Sequence, residues 1–271
     1  MKLVENEQVL EKILQYLKLD VTNCLYMYID LSVYRLNNPH ILIWYQENNQ
    51  GINFVVMQYH QSFQIYASRN YDEIDELLLL IKKRNPYCIS GRSEIIHALS
   101  GKLDQYKAEF GVVTKHRFSD TEKLERILDQ CDVQIEQATT KDAREIAELI
   151  CSDPELGAPY TVDSLSKELV ERMETGMGRS FIIRKSEKIV GHTATFAEYG
   201  SIAMGGGLII HPKYRDTMYF NWLDSYMELT LKKEGKNIYG MVLNPRLLKA
   251  FKKSGSDVVA QYGKLSLIEK K

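Results

Sequence analysis

The sequence has few cysteines and no cluster of metal ligands. Its four cysteines are widely spaced, and none belongs to a Cys-x-x-Cys pair. That spacing favours neither a disulfide framework nor a cysteine-ligated zinc site. His192 and His211 have no carboxylate partners at ligand spacing, so both are interpreted as structural and no metal site is predicted. Because such cysteine usage is typical of a reducing compartment, we expect a cytoplasmic protein.

An excess of either charge is also missing. The 35 lysines and arginines nearly balance the 36 aspartates and glutamates, for a formal net charge of −1. A chain so balanced has no global field that would attract nucleic acid or an anionic membrane, and we expect neither as a partner. No run approaches the roughly 18 apolar residues that a membrane-spanning helix needs. Any phosphate-binding site must therefore be local.

The first part of the chain alternates helical and strand patterns. Hydrophobic periodicity predicts two helices before residue 36 and a three-stranded meander between residues 40 and 68. The segment 117–132 is highly charged, carries one weak helical stripe, and is interpreted as a linker. We therefore predict a first domain at 1–116 and a second domain at 133–271.

The second part has clear start and turn signals. Thr140 and Thr161 each precede an apolar-faced helix and are the predicted N-caps. The alternating strands 180–185 and 189–199 flank a short polar turn, which predicts a β-hairpin.

A glycine triplet, Gly205-Gly206-Gly207, precedes the apolar strand segment 208–210. Because glycine weakens a strand ladder, the triplet indicates either a bulge or the close approach of a ligand. Pro212 ends the strand, and a basic turn then leads into a helix that begins near Met218. Helix N-termini favour phosphate, because backbone N–H groups and the helix dipole converge there.

The last helix has its own signals. Asn244 is the predicted N-cap, and Pro245 fits the first turn. Leu247, Leu248 and Phe251 recur at helical spacing and are predicted to form its inner face.

Together these motifs resemble the GNAT family of acyl-coenzyme A (acyl-CoA) N-acyltransferases, over about residues 133–267. In that family an apolar strand leads through Pro-x-Tyr-Arg into a glycine-containing turn and a helix, and the next strand ends in Asn. This chain has Met218 and Phe220 in place of the family's two small residues, and Phe251 where many members have a catalytic tyrosine. The matching residues are Pro212, Tyr214, Arg215, Asn244 and Gly255.

The resemblance implies an α/β (α+β) fold of two GNAT-like domains, each a mixed, largely antiparallel sheet flanked by helices, with the N-terminal domain degenerate. It implies transfer of an acyl group from acetyl-CoA or another acyl-CoA to a small-molecule amine acceptor, by a monomer or homodimer. It also assigns acyl-CoA contacts to Leu208, Ile209, Ile210, Arg215, Asp216, Thr217, Met218, Tyr219, Phe220, Asn244 and Phe251.

Catalytic groups are predicted at the end of the hairpin. Glu198 lies at the end of the predicted strand 189–199, which leads toward the same sheet edge as the strand segment 208–210. Glu198 is therefore the candidate base, with Tyr199 beside it. The alternative is a catalytically impaired GNAT-fold protein that binds acyl-CoA or has a regulatory role. That alternative is motivated by Met218, Phe220 and Phe251, which replace residues at three functional positions.

Overall fold

The architecture is given by a computed structural model that describes residues 1–49, 51–68, 74–154, 156–158, 160–253 and 255–268. The chain divides into two compact units. The first comprises Met1–Thr114 together with Met241–Lys271, and the second comprises Lys115–Gly240. The fold class is the predicted one, since each unit is built on a largely antiparallel sheet with helices.

The secondary structure alternates strands and helices along the chain. The elements are β1 (Lys2–Leu3), α1 (Glu7–Lys18), α2 (Leu25–Tyr34), β2 (Ile41–Asn48), β3 (Gly51–Tyr59), β4 (Ser62–Ala67), α3 (Asp75–Arg84), β5 (Cys88–Arg92), α4 (Ser93–Ser100), β6 (Tyr106–His116), α5 (Thr121–Leu128), β7 (Gln134–Gln137), α6 (Ala143–Cys151), α7 (Val162–Glu174), β8 (Ser180–Lys185), β9 (Lys188–Tyr199), β10 (Ile202–Ile210), α8 (Tyr219–Lys233), β11 (Asn237–Val242), α9 (Pro245–Lys253) and β12 (Ser256–Leu267).

In the first unit the strand order is β1-β2-β3-β4-β5-β12-β6. The strands from β1 to β4 pair antiparallel, which confirms the predicted meander, and β4 pairs parallel with β5. Helix α1 begins where Asn6 Oδ1 accepts a hydrogen bond from the Val9 N–H at 3.0 Å. Its apolar stripe is buried, with Leu10 and Leu17 both 0% exposed, as the helical spacing predicted.

In the second unit the strand order is β11-β10-β9-β8-β7, and β10 pairs parallel with β11. Alternating side chains of the central strands are buried on both faces. Ile182 and Ile209 pack with α6 and α7, whereas Phe181, Ile183 and Ile210 pack with α8. The sheet is thus covered by helices on both sides.

The predicted hairpin is confirmed as β8 and β9, which pair antiparallel. Of the two predicted caps in this unit, Thr161 is confirmed, because its Oγ1 accepts from the Ser164 N–H at 3.1 Å. The other cap lies one residue earlier than predicted. Thr139, not Thr140, forms a capping box with Asp142, because a single turn of 3-10 helix precedes α6.

The segment 117–132 contains α5 and packs into the second unit. Its helix is capped by Asp120, and Leu124 is only 1% exposed. Lys232 Nζ on α8 donates to the Ser119 carbonyl at 2.7 Å. The weak helical stripe of the predicted linker therefore belongs to a packed helix. The domain boundaries predicted from the sequence stay a prediction.

The C-terminal segment groups with the first unit. Strand β12 pairs antiparallel with β5, from Tyr262 opposite Arg92 to Ser266 opposite Cys88. Leu265 on β12 is 0% exposed within the first unit's core. Packing therefore groups β12 with the first unit, because strand pairing joins residues that are distant in sequence.

Candidate functional site

The glycine triplet forms a β-bulge in β10. The register with β9 shifts between Gly206 and Ile209, so Gly207 and Leu208 together lie opposite one residue of β9. Gly207 has a φ of +67°, in the left-handed region that favours glycine. A Cβ on Gly206 would lie 2.5 Å from the ring of Phe196. Of the two interpretations that the sequence left open, the bulge is confirmed.

Beside the bulge, β10 separates from β11. Their parallel register runs from Ile202 opposite Asn237 to Met204 opposite Tyr239, whereas β10 stays paired with β9 as far as Ile210. Backbone N–H and C=O groups at a strand edge that has left its ladder need other partners. This part of β10 is therefore suited to hydrogen bonds with a ligand.

The predicted strand residues lie at this edge, with their side chains inside the unit. Ile209 and Ile210 are 4% and 6% exposed, and Leu208 is half-buried. The buried side chains of Ile209 and Ile210 leave their backbone groups as the possible ligand contacts, and the predicted contact with acyl-CoA stays a prediction.

The strand ends in a compact turn that leads to α8. His211 caps a short 3-10 turn over Pro212–Tyr214. Thr217 Oγ1 donates to the Tyr214 carbonyl at 2.6 Å and accepts from the Tyr219 N–H at 3.3 Å. The first turn of a helix carries N–H groups without intrahelical partners. Thr217 takes that of Tyr219, and among the described residues the N-cap residue Met218 adds no side-chain cap. This N-terminus can hold an anion.

Arg215, the predicted phosphate contact, is anchored in the turn. Its Nε donates to the Ile210 carbonyl at 3.2 Å, and Nη2 donates to Asp153 at 3.1 Å. The side chain is 53% exposed. The guanidinium therefore lies between the end of β10 and solvent, where it has donors left for a phosphate.

Tyr219 occupies the first position of α8 and is 3% exposed. Its ring stacks on that of Tyr214 at 5.5 Å between centroids. Lys185 Nζ donates to the Tyr219 hydroxyl at 2.8 Å and lies 5.4 Å from the centre of the Tyr214 ring. The hydrogen bond to Tyr219 raises the pKa of Lys185, so Lys185 is a cation at neutral pH. Tyr219 thus contributes to the turn as a packed side chain.

The residues that replace the family glycines point outward. Met218 and Phe220 are 44% and 50% exposed, and Asp216 is exposed as well. Neither hydrophobic side chain is packed into the turn, so their bulk leaves its fold intact.

Glu198, the predicted base, is held by cations. Arg179 donates to both of its oxygens, at 2.9 and 3.0 Å, and Lys236 Nζ lies 2.9 Å from Oε2. Thr195 Oγ1 donates to Oε1 as well. Burial alone would raise the pKa of Glu198, but these donors outweigh it and the pKa is lowered. Such a carboxylate is a weak base, so its contacts favour a structural role. The catalytic assignment stays a prediction.

The other predicted residues are distributed over both units. Tyr199 is 41% exposed at the end of β9. Asn244 and Phe251 lie in the first unit, where Asn244 Oδ1 accepts from the Arg246 N–H at 2.9 Å and so caps α9 as predicted. The predicted inner face of α9 is wrong at Leu247, which is 48% exposed. Periodicity identified the helix but did not fix how deeply that face is buried.

Sequence reasoning missed Arg179, Lys236 and Phe196. Phe196 left one signal, a bulky ring on the strand before three glycines. The sequence around Arg179 and Lys236 carries no such signal, because the position of a lysine or arginine in the sequence does not reveal which carboxylate it pairs with.

Within the described ranges, no three side chains form a cluster that would hold a metal ion. In the same part of the chain, no helix has the length and apolar character needed to cross a membrane.

No protein-family model and no curated protein match the sequence. Solved structures do match. A tandem GNAT protein from the clavulanic acid biosynthesis pathway is 10% identical with a TM-score of 0.62, over 100% of this chain and 99% of that one. A GNAT-family acetyltransferase from Colwellia psychrerythraea is 12% identical with a TM-score of 0.57, over 98% of both chains.

A GCN5-related N-acetyltransferase-like protein from Streptococcus suis is 15% identical with a TM-score of 0.54, over 85% of this chain and 90% of that one. The chain has a two-domain GNAT fold. The resemblance based on Pro212, Tyr214, Arg215 and Asn244 is confirmed at the level of the fold. In this GNAT fold the bulge, the end of β10 and the N-terminus of α8 follow one another directly in the sequence of the second unit.

Proposed function

We propose that this protein is an acyl-CoA-dependent N-acyltransferase that transfers an acetyl or other acyl group to the amine of a small-molecule acceptor. The observation that supports the proposal is the separation of β10 from β11 beside the bulge, together with the turn and the N-terminus of α8 that follow β10 in sequence. A thioester arm can pair with the free edge of β10. The phosphates of the same ligand can bind Arg215 and the first turn of α8.

In the proposed reaction the neutral amine attacks the thioester carbonyl carbon. The resulting oxyanion accepts a hydrogen bond from a backbone N–H of Leu208, Ile209 or Ile210. The C–S bond then breaks, coenzyme A leaves as a thiolate, and the proton lost by the amine passes to solvent or to a base. A phenyl ring donates no proton, so Phe251 supplies none to the thiolate.

A second candidate is a GNAT-fold protein that binds acyl-CoA, or regulates through it, without turnover. The specific observation that favours it is Glu198, whose carboxylate is saturated by Arg179, Thr195 and Lys236. In either case we propose a cytoplasmic monomer or homodimer whose partners are acyl-CoA and, for the enzyme, the amine. Neither nucleic acid nor a membrane is a proposed partner.

We expect acetyl-CoA to raise the melting temperature. A ligand that binds only the folded state stabilises it by RT ln(1 + [L]/Kd), about 2.7 kcal/mol at a hundredfold excess over Kd. Differential scanning fluorimetry with acetyl-CoA, followed by mass spectrometry of a panel of small amines, provides the measurement. Binding with an acylated amine supports the enzyme, and binding without product supports the second candidate. An unchanged melting temperature at millimolar acetyl-CoA contradicts both.

We expect Arg215→Ala to weaken coenzyme A binding by about tenfold and to leave a pantetheine fragment unaffected, because a guanidinium bonds phosphate oxygens. Isothermal titration calorimetry of both ligands provides the comparison. Arg144→Ala is the matched control, since Arg144 is also an exposed arginine that pairs with an aspartate, Asp163, at 3.0 Å. Equal losses for the two ligands, or equal losses in the two variants, would show that Arg215 has no phosphate role.

A further inference from the structure

His192 contacts the bulge from inside the second unit. It lies on β9 and is 1% exposed. Its Nδ1 is 3.1 Å from the carbonyl oxygen of Gly207, and its Nε2 is 3.0 Å from Ser180 Oγ. Both ring nitrogens therefore have one partner each, and one of these partners belongs to the bulge.

The two partners fix the tautomer of the ring. A carbonyl oxygen only accepts hydrogen bonds, so Nδ1 must carry the proton and donate to Gly207. Nε2 then accepts from the Ser180 hydroxyl, which can donate. Burial lowers the pKa of His192 to about 4, so the ring is neutral at physiological pH and this pattern is stable.

The bond also orients the next amide. The peptide between Gly207 and Leu208 is planar and trans, so its C=O and its N–H point in opposite directions. We propose that His192 is a positioning residue that holds the Gly207 carbonyl and thereby directs the Leu208 N–H at the carbonyl oxygen of the bound acyl thioester. The proposal rests on the proposed function and selects Leu208 among its three candidate donors.

Glycine makes such a restraint necessary. Gly207 has no side chain to limit its dihedral angles, so its peptide can rotate more freely than that of any other residue. Phe196 closes one side of the turn, since a Cβ on Gly207 would lie 3.1 Å from its ring. The hydrogen bond from His192 restrains the carbonyl itself. An oxyanion donor is effective only when it is aimed before the charge develops.

The loss of this restraint should reduce turnover more than binding. Removing one oxyanion donor lowers kcat by about a hundredfold to a thousandfold. A donor that is present but misdirected should lower kcat by a smaller factor. We therefore expect His192→Leu to lower kcat by about tenfold to a hundredfold, with the acetyl-CoA Kd within about threefold of wild type. His192→Asn should recover most of kcat, because its Nδ2 can donate from nearly the same place as Nδ1.

NMR spectroscopy of protein labelled with ¹⁵N-leucine gives a readout that a merely structural histidine would not change. The Leu208 amide resonance is assigned by its absence in Leu208→Ile. Spectra are compared for the complexes with acetyl-CoA and with S-ethyl-CoA, a thioether that lacks the carbonyl oxygen. We expect the Leu208 amide proton to lie further downfield with acetyl-CoA in wild type and His192→Asn, and the difference to vanish in His192→Leu.

The outcomes separate the two proposals. If wild-type protein binds neither ligand, the proposed function and this inference both fail. If both ligands bind and the Leu208 resonance is the same in the two complexes, or if His192→Leu keeps the full difference, only the inference fails. Should His192→Leu not fold, the imidazole ¹⁵N shifts of wild-type protein still test the inference, since a ring protonated at Nε2 instead of Nδ1 overturns it.

Discussion

Glu198→Gln is expected to lower the free energy of unfolding by about 3 to 5 kcal/mol, the range for a buried ion pair that loses one partner. The Glu198 side chain is 7% exposed and compensates the charges of Arg179 and Lys236, whose side chains are only 20% and 18% exposed. An amide of the same shape leaves these cations facing a neutral group. Urea denaturation of wild type and variant at neutral pH provides the measurement.

Glu234→Gln is the matched control. Glu234 accepts from the same Arg179 guanidinium at 2.7 Å, but its side chain is 38% exposed. Exposed ion pairs contribute little, so we expect a loss below about 1 kcal/mol. The comparison keeps the substitution and the arginine constant and varies the burial of the carboxylate, together with its contacts to Lys236 and Thr195.

The same pair of variants tests the catalytic prediction for Glu198. A catalytic base contributes to turnover rather than to folding, so a base at this position would give a Glu198→Gln protein of normal stability and much reduced kcat. That outcome would contradict the structural role that we infer from the contacts. Loss of stability, with residual activity in the molecules that stay folded, would support it.

Asp30→Asn is expected to stabilise the protein increasingly as the pH rises. Asp30 on α2 is 7% exposed, and Gln64 Nε2 donates to its Oδ2 at 3.2 Å. Burial raises the pKa of Asp30 from 3.8 to about 7. The folded state thus holds this proton more tightly than the unfolded chain, and wild-type stability falls as the pH rises from 3.8 toward 7.

Asparagine is neutral throughout this range and keeps an acceptor for Gln64. Between about pH 5 and pH 8 we expect the variant to gain about 2 to 3 kcal/mol relative to wild type. The contribution of His192 to the free energy of unfolding has the opposite pH dependence. Its pKa is lowered to about 4, so the stabilisation from the neutral ring is lost as the pH falls below 6.5. His192 is present in both proteins, so its contribution cancels in the difference.

Urea denaturation of both proteins across the pH range provides the measurement. Asp104→Asn is the control, since it makes the same substitution at an exposed aspartate of the same unit. A constant difference between wild type and Asp30→Asn would mean that Asp30 is already ionised throughout the range. That result would contradict its burial as a neutral acid.

Local signals identified the elements that form the second unit's sheet and turn. The alternation of 180–185 and 189–199 predicted the hairpin, and Thr161 predicted the start of α7. The glycine triplet predicted an irregular strand, and Pro212 predicted where that strand ends. These signals were sufficient because each depends on backbone preferences and side-chain period within a few residues. The predicted N-cap Thr140 was wrong by one residue, since a 3-10 turn precedes α6 and Thr139 caps that turn.

The sequence by itself determined the order of strands and helices and the motif from Gly205 to Asn244. The tertiary structure alone decided that Glu198 is held by Arg179 and Lys236, and that His192 contacts Gly207. It also decided that β12 pairs with β5 in the first unit. The physical reason is the same in each case. Local conformation depends on neighbouring residues, whereas an ion pair, a strand partner or a buried carboxyl depends on groups that folding brings together from distant parts of the chain.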